Sequence, residues 1–234
     1  MITVNEIPVK VIRKKIKNLH LGVYPPNGLV RVAAPEKFSD ESIRLAVITR
    51  LSWIKQQIKS FQEQPRQSKR EMVSGEDHYY LGRRYLLDVV YTDKTPFVEI
   101  KNKKKIVLNI NLDTGREARE KLLKHWYRNE MQKILPKIIK KWEIKSGLKV
   151  QSYGIRRMKT KWGSCNQTQK RIWLNLELIK KPKNCIEYVV MHEMVHFLER
   201  THNDNFIYYM DRFMPKWRIF KNELNKSVLA YENW

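Results

Sequence analysis

Cysteine is nearly absent from this sequence. Only Cys165 and Cys185 occur among 234 residues, and they form neither a CxxC pair nor the basis of a disulfide framework. That scarcity points to a reducing compartment, and a cytoplasmic location is expected. Long apolar runs are missing too: nowhere do eighteen consecutive apolar residues appear, and Met1 to Glu6 lack the basic stretch and apolar core of a secretory signal. No membrane partner is expected. The few glycines form no GxxxxGK loop for nucleotide phosphates. Acidic residues are scarce as well, with 24 Asp and Glu against 47 Lys and Arg, a formal net charge of +23. The excess is spread over both halves of the chain, as a broad phosphate-binding face or a lysine-rich solvated surface would be.

What is present is enough chain to bury a real core in one or two domains. Short alternating segments at 8–13, 19–24 and 29–33 read as strands, the last two joined by the turn Pro25-Pro26-Asn27-Gly28. A helix follows, capped by Ser39, with Ile43, Val47, Leu51, Ile54 and Ile58 on one face. Further strands are expected at 79–81, 85–91, 97–101 and 106–110. The pattern changes at Thr114, where Thr114 and Glu117 suggest a capping box opening a long helix to Gly147 that Pro136 should kink or divide. Strand-like segments at 150–155 and 171–176 precede a second cap signal, Asn184 with Glu187. No internal repeat is visible. The reading is an α+β protein with a β-rich N-terminal subdomain over 1–112 and a catalytic domain over 113–234.

The helix expected from Cys185 to about Arg200 is apolar on nearly every side, which means burial. It nevertheless carries His192, Glu193 and His196, three polar groups that cost several kcal/mol, roughly, if left unsatisfied. A metal ion would satisfy two of them. Residues four apart lie one above the other on a helix, so both imidazoles can reach one cation, and Glu193 sits beside them. Two imidazoles, a third ligand and an open position suit Zn2+, whose bound water is acidified and deprotonated by the glutamate. His202 is the expected third ligand, brought back by a chain break near Thr201 ahead of a helix capped by Asn203 and Asp204. Glu199 competes for that role, or else holds a ligand imidazole. Lys161 to Asn166, KWGSCN, reads as a compact turn with Trp162 as a candidate substrate contact. Tyr208 and Tyr209 are candidate hydroxyl donors to an oxyanion.

Met158 to Cys165 (MKTKWGSC), Ile172 to Asn175 (IWLN), Tyr188 to His196 (YVVMHEMVH), and His202 with Phe206 and Met214-Pro215 together resemble the YgjP-like metallopeptidase family, which is similar to the SprT-like and WLM zinc proteases. The resemblance implies a zincin-like catalytic domain, with His192, His196 and His202 on zinc and Glu193 as general base. Glu199 stands where the metzincin pattern has glycine, so that clan is not indicated. Three functions follow in order: a zinc peptidase acting on proteins, including those associated with nucleic acid; a phosphoanhydride hydrolase on nucleoside triphosphates, using Arg157, Lys159 and Lys161; and a basic nucleic-acid-binding module with a structural metal site.

Overall fold

The computed structural model describes residues 1–24, 27–63, 70–158 and 161–226. Positions 25 and 26 of the expected turn, and Lys159 among the candidate substrate contacts, lie outside them. The described residues form two compact units, one within 1–63 and the other within 70–226.

In the first unit, β1 (Ile2–Val4), β2 (Ile7–Lys14), β3 (His20–Tyr24) and β4 (Leu29–Pro35) form one sheet in the order β1-β2-β4-β3. The β1–β2 turn takes positive φ at Asn5 and Glu6, the mirror-image turn whose twist matches an antiparallel pair. Two helices follow, α1 (Asp40–Ile48) and α2 (Leu51–Glu63), where the periodicity predicted one. The apolar stripe continues across the junction, but the Thr49 hydroxyl bonds the Ala46 carbonyl and helical pairing stops there. Ser39 caps α1 by accepting from Ser42 N. Val9, Val30, Val32, Ile43, Val47 and Ile54 make the core.

The second unit opens with β5 (Asp77–Tyr80), β6 (Arg83–Tyr91), β7 (Phe97–Lys101) and β8 (Lys105–Ile110), in the order β5-β6-β8-β7. Strand order and pairing sense repeat those of the first sheet: outer pairs antiparallel, the central pair parallel. The strands begin at residues 2, 7, 20 and 29 in one sheet and at 77, 83, 97 and 105 in the other, and the next helix begins at 40 and at 116. A repeat of topology thus exists where the sequence shows none. That next helix, α3 (Arg116–Ser146), starts after Gly115 rather than in a Thr114 capping box, and runs through Pro136 unbroken. Leu123, Tyr127, Met131, Leu135, Ile138 and Trp142 are buried along one stripe on both sides of the proline, so packing offsets the lost hydrogen bond. The same core takes in Leu87, Ile106 and Leu108, so the boundary expected at 112 falls inside this unit, between β8 and α3.

Beyond α3 come β9 (Ser152–Arg156), β10 (Gly163–Asn166) and β11 (Arg171–Asn175) in the order β10-β11-β9. KWGSCN is therefore in part an edge strand, not a turn. A 3-10 turn, Leu176–Lys180, leads to α4 (Lys183–Val195), then α5 (Asp204–Phe213) and α6 (Trp217–Lys226). Asn184 does not cap α4, which begins at Lys183 after Pro182, and Glu187 instead pairs with Lys141. No helix among the described residues is long and apolar enough to cross a membrane.

His78 on β5 gives this unit a pH-dependent stability. It is 6% exposed, and burial, followed by the charges of Arg70 and Lys180, lowers its pKa to about 4 against the opposing pull of Glu76. The unfolded chain takes up this proton near 6.5, so between these values it binds more protons than the fold does. Stability should be full above pH 6.5 and fall as the pH drops towards 4, by up to about 3 kcal/mol. Urea unfolding of parent and His78→Asn at pH 7 and 4.5 checks this. The acid-induced loss should shrink in the variant, and an equal loss in both would refute it.

Candidate metal centre

Helix α4 is buried on almost every face, from Cys185 through Val195, because its apolar residues meet helices and sheet all round. It ends at Val195 with His196 as C-cap, earlier than the sequence suggested, so the chain is free to turn. Asn203 then caps α5, its side chain accepting from Phe206 N at 3.0 Å. Between the two helices His202 is carried back to α4, placing its Nε2 3.1 Å from Nε2 of His192.

His192, His196 and His202 each offer a ring nitrogen, and these lie within 4.8 Å of one another. Their ring centroids are 4.8 to 4.9 Å apart. Phe206 lies 4.7 to 5.0 Å from all three rings, centroid to centroid, and is 2% exposed, an apolar neighbour common to the three histidines. His196 Nδ1 donates to the Glu199 carbonyl at 3.0 Å, which orients the ring with Nε2 as the nitrogen available to a metal. Glu199 thus orients a histidine through its backbone, while its carboxylate accepts from Thr201.

These residues fit a divalent cation. Burial first, then the neighbouring His196, His202 and Lys221, lowers the pKa of His192 to about 3, and burial lowers that of His202. The Nε2 atoms of His192 and His202 face each other at 3.1 Å within the triad. The edge of a tetrahedral site with nitrogen ligands at 2.0–2.1 Å is about 3.3 Å, close to that separation.

The triad opens on a cleft of about 690 Å³ lined also by Glu193, Tyr188, Lys161, Trp162 and Gly163. Glu193 is 5% exposed; burial pushes its carboxyl up to about 8, and Lys161 pulls the other way. Lys161 and Trp162 line the cleft, whereas Tyr209 stacks on Phe213 and is not among the lining residues. Tyr188 is there instead, its ring edge-on to His192 and its phenol held protonated up to about 12 by burial and by Glu193. Its place four residues before His192 was the available signal. Cys165 also lines the cleft, as a thiol that burial raises to about 12.

Asn175 anchors the near wall of the cleft. Fully buried, it donates from Nδ2 to the carbonyls of Met158 and Lys161, both at 2.8 Å, and its Oδ1 accepts from Glu177 N. Its backbone N–H donates to Trp162 O at 2.8 Å. The IWLN segment therefore holds the KWGSC segment in place.

No curated protein matches the chain significantly. The crystal structure of the metallopeptidase zymogen of Pyrococcus abyssi abylysin is similar over 38% of this chain and 90% of that one, at 15% identity and a TM-score of 0.36, too slight a likeness to carry an argument. The profile of the YgjP-like, metallopeptidase domain family matches residues 17–227, nearly the whole length. The chain accordingly belongs to the YgjP-like metallopeptidase family.

Proposed function

We propose that this metallohydrolase is a zinc peptidase with a zincin-type centre, in which His192, His196 and His202 hold the metal and Glu193 is the general base. The observation that carries the reading is the meeting of three ring nitrogens, one of them from the loop after α4, in the same cleft as a buried carboxylate. Three imidazole ligands with no anionic one suit zinc. The metal supplies Lewis acidity towards a scissile carbonyl and acidifies water at that point. Glu193 takes a proton from the attacking water and returns it to the leaving amine. Lys161 lies close enough to oppose the burial of that carboxylate. The Tyr188 phenol, protonated and in the cleft, is placed to donate to the oxyanion as it forms.

A net charge of +23 supports substrates associated with nucleic acid, for which DNA stimulation of protein cleavage is the test. Nucleotide hydrolysis has weaker support, since of its candidate cations among the described residues, Arg157 and Lys161, Lys161 lines the cleft and Arg157 does not.

The metal content of the purified protein tests the centre. After dialysis against a weak chelator, the parent should retain one zinc per chain and His202→Ala markedly less. Metal missing from both proteins would remove the peptidase reading's main support.

A further inference from the structure

The sequence spends a glycine where its backbone does not ask for one. Gly163 opens strand β10, paired with Leu174, and its φ lies outside the left-handed region. Glycine in a strand is less favourable than alanine, because it loses more conformational freedom and packs no side chain. Gly82 differs, since its φ of +79° explains it without reference to neighbours.

The reason at Gly163 is a single side chain. A Cβ built there would meet Glu193 Oε1 at 2.5 Å, Cγ at 2.8 Å and Cδ at 2.9 Å, and these are its three nearest atoms. No backbone is among them. The Glu193 side chain therefore rests on the bare α-carbon of Gly163, in the space a methyl group would fill. Because Glu193 is 5% exposed, it has little room to yield except by moving its carboxylate within the cleft.

We infer that Gly163 is a positioning residue for the Glu193 carboxylate, a role that rests on the peptidase reading given above. The strand supplies a flat seat, and Asn175 holds the segment leading into it through the Lys161 carbonyl and Trp162. A general base must keep within hydrogen-bond reach of the proton it accepts, and a displacement of 1 Å can cost about a hundredfold in rate. The glycine of KWGSC is thereby tied to the glutamate of HEMVH.

The test is a double-mutant cycle in Gly163→Ala and Glu193→Ala, read by thermal unfolding with matched zinc content, together with casein cleavage by Gly163→Ala. Alanine at 163 should lower Tm by a few degrees in the parent. With the Glu193 side chain removed it should leave Tm unchanged or raise it. In the peptidase assay Gly163→Ala should lose at least tenfold in kcat, with KM and bound zinc close to those of the parent. Equal Tm shifts in both backgrounds would overturn the inference, because the cost would then lie elsewhere than at Glu193. Coupled Tm shifts with unchanged kcat would overturn it too, leaving a packing contact only. A parent that cleaves nothing defeats the peptidase reading, and with it a role in positioning a base, while the Tm cycle separately reports whether the contact exists.

Discussion

Glu193→Gln should abolish peptide hydrolysis, lowering kcat by about a hundred- to ten-thousandfold, while the protein keeps its metal and its fold. Glutamine has nearly the shape of glutamate, so the seat on Gly163 remains occupied. What is lost is the capacity to accept a proton. Glu193 is the only carboxylate among the described residues lining the cleft, and the imidazoles there are assigned to the metal, so no neighbour can take over. Casein digestion by zinc-loaded parent and variant, with metal content measured in parallel, provides the check. A variant that retains metal and cleaves at the parental rate would eliminate Glu193 as the base.

Asn175→Ala should be among the most destabilising single changes in the second unit. The side chain is 0% exposed and satisfies two carbonyls and one amide, none of which gains another partner when it is cut back. A buried polar group left unpaired costs about 1–3 kcal/mol, so the sum is on the order of 3 kcal/mol or more. For a protein of this size that is a fall in Tm of roughly 10 °C. Asn175→Asp should be worse, since a carboxylate would face two carbonyl oxygens with nothing to donate. The segment that bears Lys161 and Trp162 should also loosen, so activity should decline at temperatures well below the new Tm. Calorimetry with activity measured across the same range would show it; a Tm within 2 °C or so of the parent would mean that water replaces the amide at little cost.

The meeting of the three histidines was largely legible in the sequence because its signal is chemical and local. Two histidines and a glutamate inside an apolar helix demand a partner whatever the surrounding fold. The return of His202 could be anticipated because Asn203 is a good helix cap, which requires the chain to break just before it. Gly163 and Tyr188 were harder to see. Gly163 matters because of a side chain thirty residues later, and Tyr188 looked like one more apolar residue on a buried helix. The KWGSCN strand was hidden by its glycine and polar residues, which read as a turn when pairing with β11 is unknown.

Most strands showed themselves by alternation and most helices by stripe, but the breaks did not. Thr49 interrupts a periodic face without any proline or glycine, whereas Pro136, the stronger local signal, interrupts nothing. In the first case a side chain competes for the backbone; in the second, packing on both sides overrides it. The repeated sheet topology escaped notice because it is carried by spacing and pairing sense, not by shared residues.

Phe206 closes the underside of the histidine triad. Hydrocarbon covers that approach, and the cleft is the opening that the three histidines line. On the peptidase reading, ion loss, chelator attack and inhibitor entry then share one doorway with the substrate. Occupied by a tight-binding peptide, the centre should surrender its ion more slowly than when it stands open.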